Sequence, residues 1–157
     1  MSVIRTEDLG KTYKGGLAAL QGLDLEVSPA EVFGFLGPNG AGTTTTLKML
    51  SGVLYPSGGQ GRVLGFEPFK RQRDYLRQIT LVMGNRNQLL WDIPVLDSFE
   101  RNRAIYRIDR DEYRATVDEL TELLDLSALL DKPVRNLSLG ERRICEVGAA
   151  LLHKPQI

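Results

Sequence analysis

"GPNGAGTTTT", residues Gly37 to Thr46, is the stretch on which the reading of this chain turns. Gly37 and Gly42 bracket four residues, the spacing of a glycine-rich phosphate-binding loop that ordinarily ends Gly-Lys-Ser/Thr. Thr43 stands where the lysine belongs, and Thr44 fills the Ser/Thr position. Just before the loop, "EVFGFLG" (31–37) is a compact apolar run that predicts a buried strand. Just after it, "TTTLKML" places Leu47, Leu50 and then Leu54 at helical spacing. Strand, glycine turn and helix in this order make an anion site. Glycine at 37, 40 and 42 opens backbone conformations closed to other residues, so successive N–H groups converge on phosphate oxygens at the positive end of the helix dipole. None of that requires lysine. The lysine contributes a point charge on the outer phosphates, which the short, neutral Thr43 does not replace. Lys48 lies more than a turn into the helix and on another face.

Working outward, the elements alternate. "SVIRTEDL" (2–9) and "LDLEV" (23–27) read as strands of alternating polarity, "GRVLGFEP" (61–68) as a strand and turn, and "ITLVM" (79–83) as a second buried strand. "PFKRQRDYLRQ" (68–78) reads as a charged helix, and "YPSGGQG" (55–61) is the strongest turn cluster. Past Pro94 the pattern is helical. Asp97 with Glu100 predicts a helix start. Tyr113, Val117, Leu120 and Leu124 form an apolar stripe over 111–126, and Ser138 opens a last helix with Ile144, Val147 and Leu151 on one face. The expected fold class is therefore α/β. An N-terminal β-region and phosphate-loop part would span 1–94, and a helical segment 95–157.

The 157 residues suffice for a domain with a real core, and 42% hydrophobic with 25% charged is a globular composition. Lys plus Arg (20) balances Asp plus Glu (20), which gives no electrostatic argument for nucleic acid. Cys145 is the single cysteine, so no internal disulfide forms, and a reducing setting is expected. No apolar run approaches the roughly 18 to 20 residues of a membrane helix.

A second motif, "NLSLGERR" (136–143), has good local chemistry: Ser138 with Glu141 is a capping box that starts the last helix. It also resembles the signature Leu-Ser-Gly-Gly-Gln of ABC-transporter ATPases, matching at Leu137, Ser138, Gly140 and Glu141, with Leu139 in place of a glycine. The resemblance runs the length of the chain. "KTYKGG" (11–16) looks like the family's adenine-stacking segment, with Tyr13 as its aromatic, although a surface aromatic at a strand end gives the same pattern. "LVMGNRNQLLWDIPVLDSF" (81–99) looks like the Q-loop stretch, whose glutamine aligns with Asn85, one methylene shorter, with Gln88 three residues out of register. Trp91 reads equally as a core aromatic or a partner contact. The wording of 88–99 together with "LSLGERR" is most similar to bacterial exporter-type ATPases.

The resemblance implies a P-loop NTPase core of ABC type with a helical subdomain. It implies ATP held by Gly37, Pro38, Asn39, Gly40, Ala41, Gly42, Thr43, Thr44 and Thr45, and Mg²⁺ at Thr44 with a weaker contact from Asn85. Ser138 and Gly140 would face the γ-phosphate of an opposite subunit. It further implies a second ATP-binding subunit, a transmembrane permease, and a cytoplasmic place at the inner face of the membrane through that partner. In the family's order an acidic (Walker B) strand, a catalytic glutamate and a switch histidine follow the signature. The chain's last residues, "LLHKPQI", fall where that strand begins, so the expectation is truncation before it. The missing strands would then leave a gap in the sheet and a marginally stable chain. His153 matches none of the family's residues and reads as a surface histidine at a helix end. Two readings of function follow. One is an ATP-binding subunit, or fragment, of an ABC transporter, impaired in hydrolysis by Thr43 and, more, by the expected absence of the Walker B acids and the switch histidine. The other is a degenerate subunit that acts by pairing with a competent one. A GTPase is disfavoured, because no Asn-Lys-x-Asp is present.

Overall fold

The computed structural model describes residues 2–84 and 88–157. The chain divides into two compact units, Met1–Leu76 and Arg77–Ile157.

The first unit is built on a three-stranded antiparallel sheet of order β2-β1-β3, with β1 at Ile4–Thr12, β2 at Ala18–Val27 and β3 at Gly58–Val63. Ile4 sits opposite Val27 on one side and Val63 on the other, so alternate side chains of the three strands share one apolar face. Leu9, Val27 and Val63 are all buried. The register slips after Glu7, where Asp8 takes a positive φ of 49°. Gly59, itself at φ 71°, lies so near the Asp8 carbonyl that an added Cβ would be 2.0 Å from that oxygen. Helix α1 (Thr43–Leu50) packs on β2, on β3 and on a 3-10 turn at 68–70. Thr46, Met49 and Leu50 form its buried face. The charged segment that follows is shorter than the sequence predicts: the 3-10 turn is followed by α2, only Arg73–Leu76. Tyr75 anchors α2. It is fully buried, donates its hydroxyl to the Leu50 carbonyl, and has its pKa pushed up to about 12 by desolvation.

The second unit is helical. Helix α3 spans Val95–Tyr106, starting two residues before Asp97; α4 spans Arg110–Leu124 and α5 spans Leu139–Leu151. Asp109 caps α4 by accepting from the amides of Asp111 and Glu112, and the Asp111 amide is the main cause holding its carboxyl below the usual range. The α4 stripe is as the sequence predicts: Tyr113, Val117 and Leu120 are buried and Leu124 packs against them. They meet Val95, Phe99, Leu126, Val134 and Cys145 in one core. Gly148 lets α5 approach closely, since a Cβ there would sit 3.1 Å from the Phe99 ring and 3.2 Å from Leu126.

Two expectations are corrected. Residues 31–37 are not a buried strand: Val32, Phe33 and Leu36 are exposed, and no backbone pairing holds the segment among the described residues. Residues 79–83 do not form a strand either, although Ile79 is buried. The reason is the same for both, because an apolar run becomes a strand only where a neighbour completes its hydrogen bonds. The 78–80 backbone pairs with Ile157. The Ile157 amide donates to the Gln78 carbonyl and the Thr80 amide to the Ile157 carbonyl, in the pattern of parallel strands. Helix α5 buries Cys145, Glu146, Gly148, Ala149 and Ala150, whereas on the face shared by Ile144 and Val147 these two are 42% and 38% exposed.

Candidate functional site

In the first unit the loop 37–42 is exposed and leads into α1, whose N-cap is Gly42. Gly40 and Gly42 have φ of 93° and 86°, the left-handed region that a side chain resists. At Gly42 the need is doubled: a Cβ would lie 2.4 Å from the Ala19 carbonyl oxygen of β2. The Ala41 amide folds back onto the Pro38 carbonyl at 3.0 Å, closing the turn around Asn39 and Gly40. The first amide of α1 with a backbone partner is that of Thr46, which donates to Gly42 O at 2.8 Å. The amides of Thr43, Thr44 and Thr45 have no partner among the described residues, and no side chain caps the helix. Three N–H groups therefore stand open at the positive end of a helix dipole. Thr46 is satisfied differently, with its hydroxyl on the Gly42 carbonyl at 3.0 Å. Thr44, by contrast, is exposed.

Tyr13 follows the last residue of β1 and is 38% exposed. Its backbone closes the β1–β2 turn through Tyr13 N to Leu17 O and Gly16 N to Tyr13 O. Its hydroxyl lies 3.5 Å from the Thr45 hydroxyl, so the fold brings the aromatic to the first turn of α1. Sequence reasoning missed Lys11. Its ammonium sits 5.6 Å from the Tyr13 ring centroid and is fixed by a 2.7 Å bond to the Tyr55 carbonyl. With the cation on one face, the other face of Tyr13 is the one available for stacking. The signal was the two-residue spacing of Lys11 and Tyr13 at a strand end, which puts both on one side.

In the second unit Ser138 is the N-cap of α5 with both bonds of the capping box. Its Oγ accepts from the Glu141 amide at 3.2 Å, and its own amide donates to Glu141 Oε2 at 2.7 Å. The bond from the Ser138 amide is the main cause that holds the Glu141 carboxyl below its usual range, with Lys132 3.7 Å away adding to it. Leu137 is buried and Leu139 is 61% exposed. Gly140 has open space around it, since a Cβ there would meet nothing within 4 Å. The chain itself therefore gives no packing reason for glycine at 140.

Trp91 is half-exposed, with the Arg142 guanidinium 5.4 Å from its ring centroid, and is not a core aromatic. His153 is not a fully exposed residue. It is half-buried, stacks on Tyr106 at 3.9 Å, contacts the Ile79 carbonyl at 3.1 Å and has its pKa lowered by desolvation. Asn85 lies outside the described residues.

The residues present fit a polyphosphate: three open amides, two left-handed glycines and a dipole end, with an exposed hydroxyl at Thr44. For a metal the fit is Thr44 alone, because no cluster of three or more His, Cys, Asp or Glu occurs among the described residues. This combination has the form of a phosphate loop, a glycine turn leading into a helix N-terminus.

Residues 20–157 match the model of the ABC transporter family. The chain is 30% identical to the bacitracin transport ATP-binding protein BcrA of Bacillus licheniformis, over 99% of this chain and 49% of that protein. It is 33% identical to the Nod factor export ATP-binding protein I of Cupriavidus metallidurans, over 99% of this chain and 51% of that one. Among solved structures it resembles cbiO1 from Clostridium perfringens, described as part of the ABC transporter complex cbiONQ, with a TM-score of 0.84 at 25% identity over 98% of this chain and 62% of that one. A structure of an ATP-binding subunit of an ABC transporter superposes with a TM-score of 0.86 at 21% identity, over 98% of this chain and 63% of that one. The chain belongs to the ABC transporter family, and its fold is that of the ATP-binding domains. It spans about half the length of the curated relatives named here. No helix among the described residues is long and apolar enough to cross a membrane.

Proposed function

We propose that this chain binds ATP with Mg²⁺ as the nucleotide-binding part of an ABC transporter. The observation that carries the reading is the set of unpartnered amides at Thr43, Thr44 and Thr45, with Tyr13 brought against Thr45. In this reading the backbone from Gly37 to Thr45 cradles the phosphates, with Pro38, Asn39 and Ala41 forming the turn. The Thr44 hydroxyl reaches the metal, and Tyr13 stacks on adenine. Bound ATP supplies the phosphoanhydride whose hydrolysis drives transport in the family, and this chain's own part is to bind and orient it. Ser138 and Gly140 serve the γ-phosphate held by a second ATP-binding subunit. The open space around Gly140 supports this, because it admits close approach from outside the chain. A transmembrane permease is the further partner, which places the protein at the cytoplasmic face of a membrane. Outward transport is the direction proposed. A trehalose/maltose import ATP-binding protein from Thermococcus litoralis is 34% identical, so identity alone does not set direction, and the wording of residues 88–99 carries this part.

Thr43 favours a second reading, in which the chain binds nucleotide weakly and acts by pairing with a competent copy. Titration calorimetry with Mg-ATP on the chain and on Gly42→Val tests the site. Saturable binding that the valine abolishes supports it, because the valine Cβ meets the Ala19 carbonyl. Binding unchanged by the valine sinks it.

A further inference from the structure

Helix α5 carries a carboxylate that the signature motif does not use. Glu146 is fully buried, and its Oε2 accepts from the Arg143 Nη1 one turn earlier at 2.6 Å. Its Oε1 has no partner among the described residues. A buried carboxylate is stable only with a cation held beside it, so Glu146 fixes where the Arg143 guanidinium sits. The guanidinium is a rigid planar fork, and fixing one nitrogen aims the others. The second arm, Nη2, donates to the backbone carbonyl of Gly84. Gly84 immediately precedes Asn85, the residue that aligns with the family's Q-loop glutamine.

We propose that Arg143 and Glu146 are a positioning pair that ties the backbone at Gly84 to helix α5, so that the start of the Q-loop stretch and the signature helix move as one body. The unpartnered Oε1 gives the tether a release route. When Nη2 turns from the Gly84 carbonyl to Oε1, the pair becomes bidentate, the guanidinium keeps its number of bonds, and no buried charge is stranded. The tether itself does not depend on nucleotide. Its functional meaning, a link between the signature helix and the Q-loop stretch, rests on the ATP-binding reading above.

Arg143→Lys separates the two arms of the fork. Lysine keeps a cation beside Glu146 but is a single point donor and does not also hold Gly84. The assay is limited trypsinolysis of the nucleotide-free chain, comparing cleavage after Arg86, two residues from Gly84, with cleavage after Arg114 in the middle of α4. Arg143→Lys and Glu146→Gln are each expected to speed cleavage after Arg86 by about tenfold to a hundredfold, with cleavage after Arg114 unchanged. An unchanged rate at Arg86 in Arg143→Lys overturns the proposal. Equal acceleration at both sites also overturns it, because the pair would then hold the helical unit together rather than the backbone at Gly84. ATP is absent from the assay, so a failure of the tether leaves the ATP-binding reading standing, and the reverse also holds.

Discussion

Replacing Thr43 with lysine is expected to tighten Mg-ATP binding by about tenfold to a hundredfold. Thr43 is the first residue of α1, and its Cγ2 lies 3.8 Å from where a Cβ on Gly37 would be. The side chain at 43 therefore leans back across the mouth of the loop, and a lysine there extends over the same space. A hydrogen bond to a charged group is worth about 1.5–3 kcal/mol, which at roughly 1.4 kcal/mol per decade is one to two decades in affinity. The free chain is affected in the opposite direction. A cation at a helix N-terminus costs about 0.3–1 kcal/mol, which lowers the melting temperature by roughly 1–4 °C in a chain of this size. The assay is titration calorimetry with ATP, ADP and AMP on the parent chain and on Thr43→Lys. The gain should appear with ATP and ADP and be absent with AMP, because the charge acts on the outer phosphates. No gain with ATP, or the same gain with AMP, would refute the reasoning that Thr43 removes only a charge from a loop whose backbone is otherwise intact.

Three further outcomes follow from the geometry. Ser138→Ala removes one bond of the capping box and should cost about 1 kcal/mol of stability in chemical denaturation, without changing ATP affinity of the isolated chain. His153 has a folded pKa below its ordinary 6.5 because burial disfavours the charged ring. The unfolded chain therefore binds the proton first, so stability is fully present above about pH 6.5 and is lost as pH falls through the lowered folded value. His153→Phe keeps the stack on Tyr106 and should remove that step from the plot of melting temperature against pH; a step that persists assigns it to another group. Cys145 is buried, with its thiol pKa raised to about 11 chiefly by desolvation, so a thiol reagent at pH 8 should leave the native chain unmodified and react fully after unfolding.

What the sequence could and could not disclose follows from the range of each interaction. The capping box at Ser138 and Glu141, the α4 stripe of Tyr113, Val117 and Leu120, and the glycines at 40 and 42 are local. Each follows from capping, helical periodicity or turn geometry over a few positions, so spacing alone locates them, although the stripe's core partners and the Ala19 carbonyl against Gly42 lie far off in the chain. The 31–37 run looks like a buried strand because it is apolar, but a strand is defined by its neighbours, and pairing partners are not encoded nearby. The buried face of α5 is not legible in the sequence for a related reason. Ile144 and Val147 are its larger apolar residues, yet the helix turns Cys145, Gly148 and Ala149 inward, because the approach to Phe99 and Leu126 leaves room only for small side chains. The buried Glu146 was invisible because its partner, Arg143, looks in sequence like one more surface charge. Lys11 beside Tyr13 needed the strand to be placed before the pair could be seen.

The central claim is that the backbone at the start of α1 holds phosphate without a lysine. Amide hydrogen exchange at Thr43, Thr44 and Thr45, with and without saturating Mg-ATP, tests it most directly. These amides have no partner among the described residues, so they should exchange fast alone, slow markedly with ATP, and stay fast with adenosine. Unchanged exchange with ATP at demonstrated saturation, or equal slowing with adenosine, would contradict it.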